Sequence, residues 1–389
     1  MPYMAERVSN FVTSIFFEMT SLANQHQAVN LGQGFPDFSG PDFLKQAAIE
    51  AILGGVNQYA PGSGQVRLRQ AIVRKMEHHY GLRFDPNTEI TVTHGATEAI
   101  FTSILGLVNP GEEVILFEPF YDSYVPSVQI AGGIPRFYTL RPPDWRIDLE
   151  ALAALFSDKT KLILINTPHN PTGKVFSREE LQHIAHLCQQ HDVIAVSDEV
   201  YEHIIFDGRT HLPIAALPGM ADRTVTISSA GKTFSMTGWK VGWAIGRPEL
   251  NQAIFRGHQF IIYAGVAPLQ EAVATALGTS DDYYTELAAM YQASRDFLVD
   301  ALTEAGLKPI VPGGTYFIMA EIDHLGFPDD VAFCRYLTTE IGVAAIPPSA
   351  FYINPADGAT LARFAFCKSR PTLEEAARRL IKLKGVRRP

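Results

Sequence analysis

From Glu89 to about residue 280 this chain alternates short apolar, β-branched runs with amphipathic stretches, and nothing else in it narrows the choice of fold as far. Strands are predicted over 90–93, 114–117, 161–166, 193–197, 224–228 and 240–246. Most of these runs are continuously apolar rather than alternating, as strands are when helices cover both faces of a sheet. Helices predicted near 96–107, 178–190 and 248–260 fall between them. The pattern specifies an α/β fold on a doubly wound, mostly parallel sheet. Ligands of such sheets bind beyond the carboxyl ends of the strands. Five segments, 94–97, 118–121, 166–170, 198–201 and 228–232, therefore meet along one edge.

The alternation stops near residue 280. Helices predicted near 283–304, 329–340 and 372–383 then accompany short strands at 315–320 and 361–366, which reads as a smaller α+β domain. The first forty residues read as loop-rich. Their run Gly32-Gln33-Gly34-Phe35-Pro36-Asp37 is no dinucleotide fingerprint, because Asp37 stands where the third glycine belongs. The expected division is an arm over 1–45, a large domain over 46–280 and a small domain over 281–389. A chain of 389 residues is long enough for it.

Composition excludes several classes of function. A net charge of -9 argues against nucleic acid, whose phosphates need a basic face. The amino terminus lacks the basic start and apolar run of a signal peptide, and no uncharged apolar stretch reaches the roughly 18 residues that span a bilayer. Three scattered cysteines, Cys188, Cys334 and Cys367, fit reduced thiols. A cytoplasmic protein without membrane or nucleic-acid partners is expected. His183, His186, Cys188 and His191 resemble a metal set, but their two pairs fall on different helix faces and cannot converge on one ion. No metal is expected.

The segment 228–242 holds the most telling chemistry. Lys232 sits among small and hydroxyl residues, where partial desolvation and nearby cations lower an amine's pKa and suit it to Schiff-base formation. A P-loop is ruled out, because Thr226 occupies the position of its first glycine. Ser229 and Lys240 offer a hydroxyl and a positive charge to a phosphate. Gly95, Ala96 and Thr97 lie where a strand gives way to a helix, so their free amides can bind a phosphate or merely open a helix. Asp198 ends a buried strand and needs a partner there, whether a cationic ligand or a salt bridge. Arg363 lies on an alternating strand that sends Phe364 and Phe366 to the other face, and its planar fork matches a carboxylate.

The run from Ser229 to Lys240, together with 30–38 and 166–173, resembles class I, fold-type I pyridoxal-phosphate-dependent aminotransferases over nearly the whole chain. Within that family it is most similar to the methionine aminotransferase and kynurenine–glutamine transaminase branch. The resemblance implies pyridoxal 5'-phosphate as cofactor, held covalently by Lys232. It implies that Asp198 faces the ring nitrogen, that Tyr201 and Asn170 serve the phenolic oxygen, and that Tyr121 stacks on the ring. Gly95, Ala96, Thr97, Ser229 and Lys240 would take the phosphate, joined by Tyr59 from the other subunit of a homodimer. Arg363, Asn170 and Gly34 would receive the substrate α-carboxylate, with Phe16 near its side chain.

The implied reaction is a ping-pong transfer of an amino group between an amino acid and a 2-oxo acid, with Lys232 as acid and base and Asp198 and Tyr201 assisting. Phe16 and Tyr121 favour an apolar or aromatic donor. Methionine comes first, with glutamine, phenylalanine and kynurenine as alternatives. Two rivals are a β-lyase acting on cysteine S-conjugates and a non-catalytic regulatory protein. The second is disfavoured, because no basic segment offers a DNA-binding module.

Overall fold

The computed structural model describes residues 3–9, 11 and 14–386. Its centre is a seven-stranded sheet: β1 (Ile90–His94), β2 (Glu113–Glu118), β3 (Ile134–Thr139), β4 (Thr160–Asn166), β5 (Ile194–Asp198), β6 (Thr224–Ser229) and β7 (Val241–Ile245). The order across the sheet is β1-β7-β6-β5-β4-β2-β3. The run from β6 to β3 is parallel throughout, and β7 alone runs antiparallel to both its neighbours.

The apolar runs are continuous because the sheet is covered twice. On one face Leu162 and Leu164 pack with Ile100 and Ile254, from helices Gly95–Leu107 and Pro248–Ile261. On the other, Ile163 and Ile165 pack with Leu181 and Ile184 from helix Arg178–Gln190. Ser177 starts that last helix with a capping box closed by Glu180. On that helix Cys188 is buried, and the His183 ring meets the Leu149 carbonyl at 3.0 Å.

Several elements depart from the sequence reading, helices Tyr124–Ile130 and Ala267–Ala276 among them. Edge strand β3 was not expected, since its Pro135 and Arg136 lie in a half-exposed run with little apolar signal. Helix Asp42–Leu53 also escaped notice, as did strand Lys308–Ile310. The supposedly loop-rich start contains an eleven-residue helix, Ile15–Gln25, capped by Ser14.

Past residue 280, Lys308–Ile310, Phe317–Glu321 and Leu361–Ala365 form an antiparallel sheet with Phe317–Glu321 in the middle. Helices Asp281–Glu304 and Arg370–Leu380 pack on it. The amino-terminal segment is tied here. Val29–Asn30 pairs in parallel with Val343–Ala344, and Met19 and Leu31 enter the same core as Leu298 and Phe364. Residues 1, 2, 10, 12, 13 and 387–389 of the expected arm and small domain lie outside the described residues. No helix of the described residues is long and apolar enough to cross a membrane.

Candidate active site

Lys232 lies on the single helical turn Ala230–Thr233 that follows β6. Its amine stands 5.6 Å from the ring centres of both Tyr201 and Tyr316. Desolvation lowers its pKa to about 8 against the opposing influence of Cys367 and Asp198. An amine so placed loses its proton far more readily than an exposed lysine.

Asp198 ends β5, and burial raises its carboxyl to about 6. Tyr124 donates its hydroxyl to Oδ2 at 2.7 Å and the Val200 amide donates to Oδ1 at 3.3 Å. Asn166, at the end of neighbouring β4, braces the strand by donating Nδ2 to the Asp198 carbonyl at 2.9 Å. The same Asn166 receives the Asn170 amide at 2.7 Å on Oδ1, so one side chain positions two site segments. Tyr201 is buried beside them, and burial holds its hydroxyl protonated.

Gly95 opens helix Gly95–Leu107 with a φ of 77°, a conformation only glycine adopts freely. Lys240 leans over this opening: a Cβ at Gly95 would lie 3.1 Å from the Lys240 Nζ, and that Nζ reaches the Thr97 hydroxyl at 3.5 Å. Ser229 ends β6 alongside. Backbone amides, two hydroxyls and an ammonium thus surround one small volume, the donor set a phosphate requires.

Arg363 is 1% exposed. Nη1 donates to Asn170 Oδ1 at 3.2 Å and Nη2 to the Gly32 carbonyl at 2.8 Å, while Nε has no protein partner. Its guanidinium is boxed by the rings of Phe317, Phe16 and Phe351 at 4.2, 5.0 and 5.2 Å. Burial lowers its pKa to about 10, which leaves it charged. Gly34 is held by the Tyr316 hydroxyl, which donates to its carbonyl at 2.6 Å, and a Cβ there would collide with Phe317.

Most of these groups open onto one cavity of about 380 Å³, with Tyr316 and Phe351 packed behind it. Of the residues singled out in the sequence, Phe16, Gly34, Gly95, Ala96, Thr97, Tyr121, Asn170, Asp198, Tyr201, Ser229, Lys232, Lys240 and Arg363 line it. Tyr59 does not; it is 84% exposed and packs edge-on against Tyr263. Sequence reasoning placed Asn166 in a site segment without giving it a task, and passed over Tyr124 and Tyr316.

The family described as aminotransferase class I and II matches residues 26–380. The kynurenine–oxoglutarate transaminase of Dictyostelium discoideum is 45% identical, with 98% of this chain and 96% of that protein covered. The crystal structure of an Escherichia coli protein assigned a methionine aminotransferase function superimposes with a TM-score of 0.94 at 42% identity, over 97% of this chain and 99% of that one. The N-succinyldiaminopimelate aminotransferase of Mycobacterium tuberculosis does so with a TM-score of 0.95 at 47% identity, over 98% and 100%. The chain belongs to the class I and II aminotransferases.

This aminotransferase therefore works on amino acids and 2-oxo acids with pyridoxal 5'-phosphate. Its cavity fits that group on chemical grounds. The donor set at Gly95 suits the phosphate, a buried carboxyl at Asp198 suits a cationic ring nitrogen, and an amine of lowered pKa suits an aldehyde. The unpartnered Nε of Arg363 leaves a fork open for a carboxylate.

Proposed function

We propose that this aminotransferase takes its amino group from an apolar, sulfur-containing or aromatic L-amino acid, methionine foremost, and delivers it to a 2-oxo acid. The observation that carries this reading is the phenylalanine box around Arg363. A substrate whose α-carboxylate meets that guanidinium presents its side chain to Phe16, Phe317 and Tyr121. The cationic side chains lining the cavity are Lys232, Lys240 and Arg363. Each has a task at the cofactor or the α-carboxylate, so none is left to pair with an acidic side chain. The names of the E. coli and D. discoideum relatives agree with such donors. The M. tuberculosis name points to a more polar donor.

The division of labour follows from position. Gly95, Ala96, Thr97, Ser229 and Lys240 would hold the cofactor phosphate, and Asp198 the ring nitrogen. Tyr201 and Asn170 would serve its phenolic oxygen, while Tyr121 would face the ring. The bound cofactor supplies an electron sink for the substrate Cα. Lys232 would anchor the cofactor, and as a free amine of lowered pKa it would take the proton from the substrate Cα and later give it back. Arg363, Asn170 and Gly34 orient the α-carboxylate so that this proton faces the lysine. The enzyme acts as a cytoplasmic homodimer, in which Tyr59 of each subunit reaches the phosphate of the other.

The test is the visible absorption of the purified enzyme loaded with pyridoxal phosphate. Addition of L-methionine bleaches the band, and a 2-oxo acid restores it. Bleaching by L-aspartate or L-lysine at equal or lower concentration than by L-methionine overturns the substrate reading.

A further inference from the structure

Two carboxylates line the cavity, Asp198 and Asp122, and only the first has been given a task. Asp122 is half-buried. Its Oδ2 accepts the Ser14 hydroxyl at 3.2 Å. Ser14 is the cap of helix Ile15–Gln25, where its Oγ in turn accepts the Phe16 amide at 3.4 Å. A carboxylate thus stands against the positive end of an eleven-residue helix, an arrangement favourable for both.

The residue set in place by this cap is Phe16, whose ring closes the box over Arg363 and lies 5.7 Å from Phe351. The other side of the same helix is fixed separately. Gln33 donates to the Phe16 carbonyl at 3.2 Å and to the Thr20 hydroxyl at 2.6 Å. Phe16 is therefore held from two directions, and the hold nearest its own amide leads to Asp122.

We infer that Asp122 is a specificity-determining positioning residue: by holding the Ser14 cap it fixes Phe16 as a wall for long apolar side chains. The inference rests on the reading that Phe16 faces the substrate side chain. It has a consequence that a general loss of order would not. A side chain as short as that of alanine does not reach Phe16, so loosening the cap changes preference rather than lowering all rates alike.

The experiment compares L-methionine, L-phenylalanine and L-alanine as donors to one 2-oxo acid, with the full-length enzyme loaded with cofactor. In Asp122→Ala the ratio of kcat/KM for methionine over alanine falls by about five- to tenfold, mainly through the methionine KM, on the scale of side-chain discrimination by an apolar pocket. Ser14→Ala removes both the bond to Asp122 and the bond from the Phe16 amide, so it moves the ratio the same way and by at least as much as Asp122→Ala. Asp122→Asn keeps an oxygen that accepts from Ser14 and retains at least about half of the wild-type ratio. Equal losses for all three donors, or an unchanged ratio in both Asp122→Ala and Ser14→Ala, overturn the inference. If Asp122→Ala does not fold, Ser14→Ala and Asp122→Asn decide it. A wild-type enzyme with no preference for methionine or phenylalanine over alanine overturns the proposed substrate class instead.

Discussion

Asp198 and Lys232 are both charged at neutral pH in surroundings that disfavour charge, since burial lifts one only to about 6 and depresses the other only to about 8. The folded Asp198 carboxyl holds its proton above the ordinary carboxylate range, so its contribution to stability is fully present below about pH 4 and is lost as pH rises through 6. The loss is about 3 kcal/mol for a shift of this size in the cofactor-free protein. Lys232 has the opposite sign: its contribution is present above the ordinary lysine range and is lost as pH falls through 8. Asp198→Asn removes the first penalty while keeping an acceptor for Tyr124. The cofactor-free variant is therefore expected to melt higher than wild type at pH 7.5, with a flatter profile between pH 4 and 7. Its turnover falls by about 10³-fold or more, because a neutral amide cannot hold a cationic ring nitrogen. Melting curves across pH, set beside steady-state rates, check both signs; a variant that melts lower and turns over normally contradicts both. At this scale the sequence was most legible where chemistry demands one residue type, as at Lys232, Asp198 and Arg363. The roles of Tyr124 and Asn166 at Asp198 were not legible, because each meets it from a distant stretch of chain. The Tyr124 hydroxyl serves a carboxylate 74 positions on, and only the folded strands bring the two together.

Elements were legible to the extent that packing forces a pattern on them. Strands β2, β4 and β5 are buried on both faces and carry continuous apolar runs, while β6, equally buried, interleaves Val225 and Ile227 with threonine and serine. Edge strand β3 is half-exposed over most of its length and spells no such run. The arm helix buries just Met19 and Ala23 and leaves Phe17 70% exposed, so its sequence carries no clean helical stripe. One contact between elements was invisible in the sequence and governs the phosphate end of the site. A Cβ at Gly242 on β7 would lie 2.5 Å from the Gly95 carbonyl carbon and 2.6 Å from the Ala96 nitrogen. Strand and helix start touch backbone to backbone, and the helix cannot yield without moving the amides that face Lys240. Gly242→Ala is expected to push helix Gly95–Leu107 away and weaken pyridoxal-phosphate binding by about tenfold or more, since a shift of a few tenths of an ångström degrades several donors together. Titration of the cofactor-free variant with pyridoxal phosphate, followed by absorption, measures this directly. Wild-type affinity would show that the strand, not the helix, gives way.

Assembly is the scale at which the proposed homodimer would complete the phosphate end of the site. Tyr59 stands outside the cavity at 84% exposure, packed on Tyr263, and Phe260 nearby in sequence is 86% exposed. Large aromatic groups so exposed favour an interface, and the proposed homodimer puts Tyr59 of one subunit at the phosphate of the other. Complementation distinguishes this from action within one chain. Consider Tyr59→Ala and Lys232→Ala, each impaired as a homodimer. In a hybrid of the two, the subunit that keeps Lys232 receives Tyr59 from its neighbour, so one site has both groups. The other site has neither. If Tyr59 instead served its own chain, no site in the hybrid would hold both. Mixing the two variants under conditions that exchange subunits is therefore expected to raise activity well above the sum of the parents, towards one working site per hybrid dimer. The gain depends on exchange, so chemically cross-linked parents should show none. Activity that stays at the sum, in a mixture proven by mass spectrometry to contain hybrids, would place Tyr59 in a structural role confined to its own subunit.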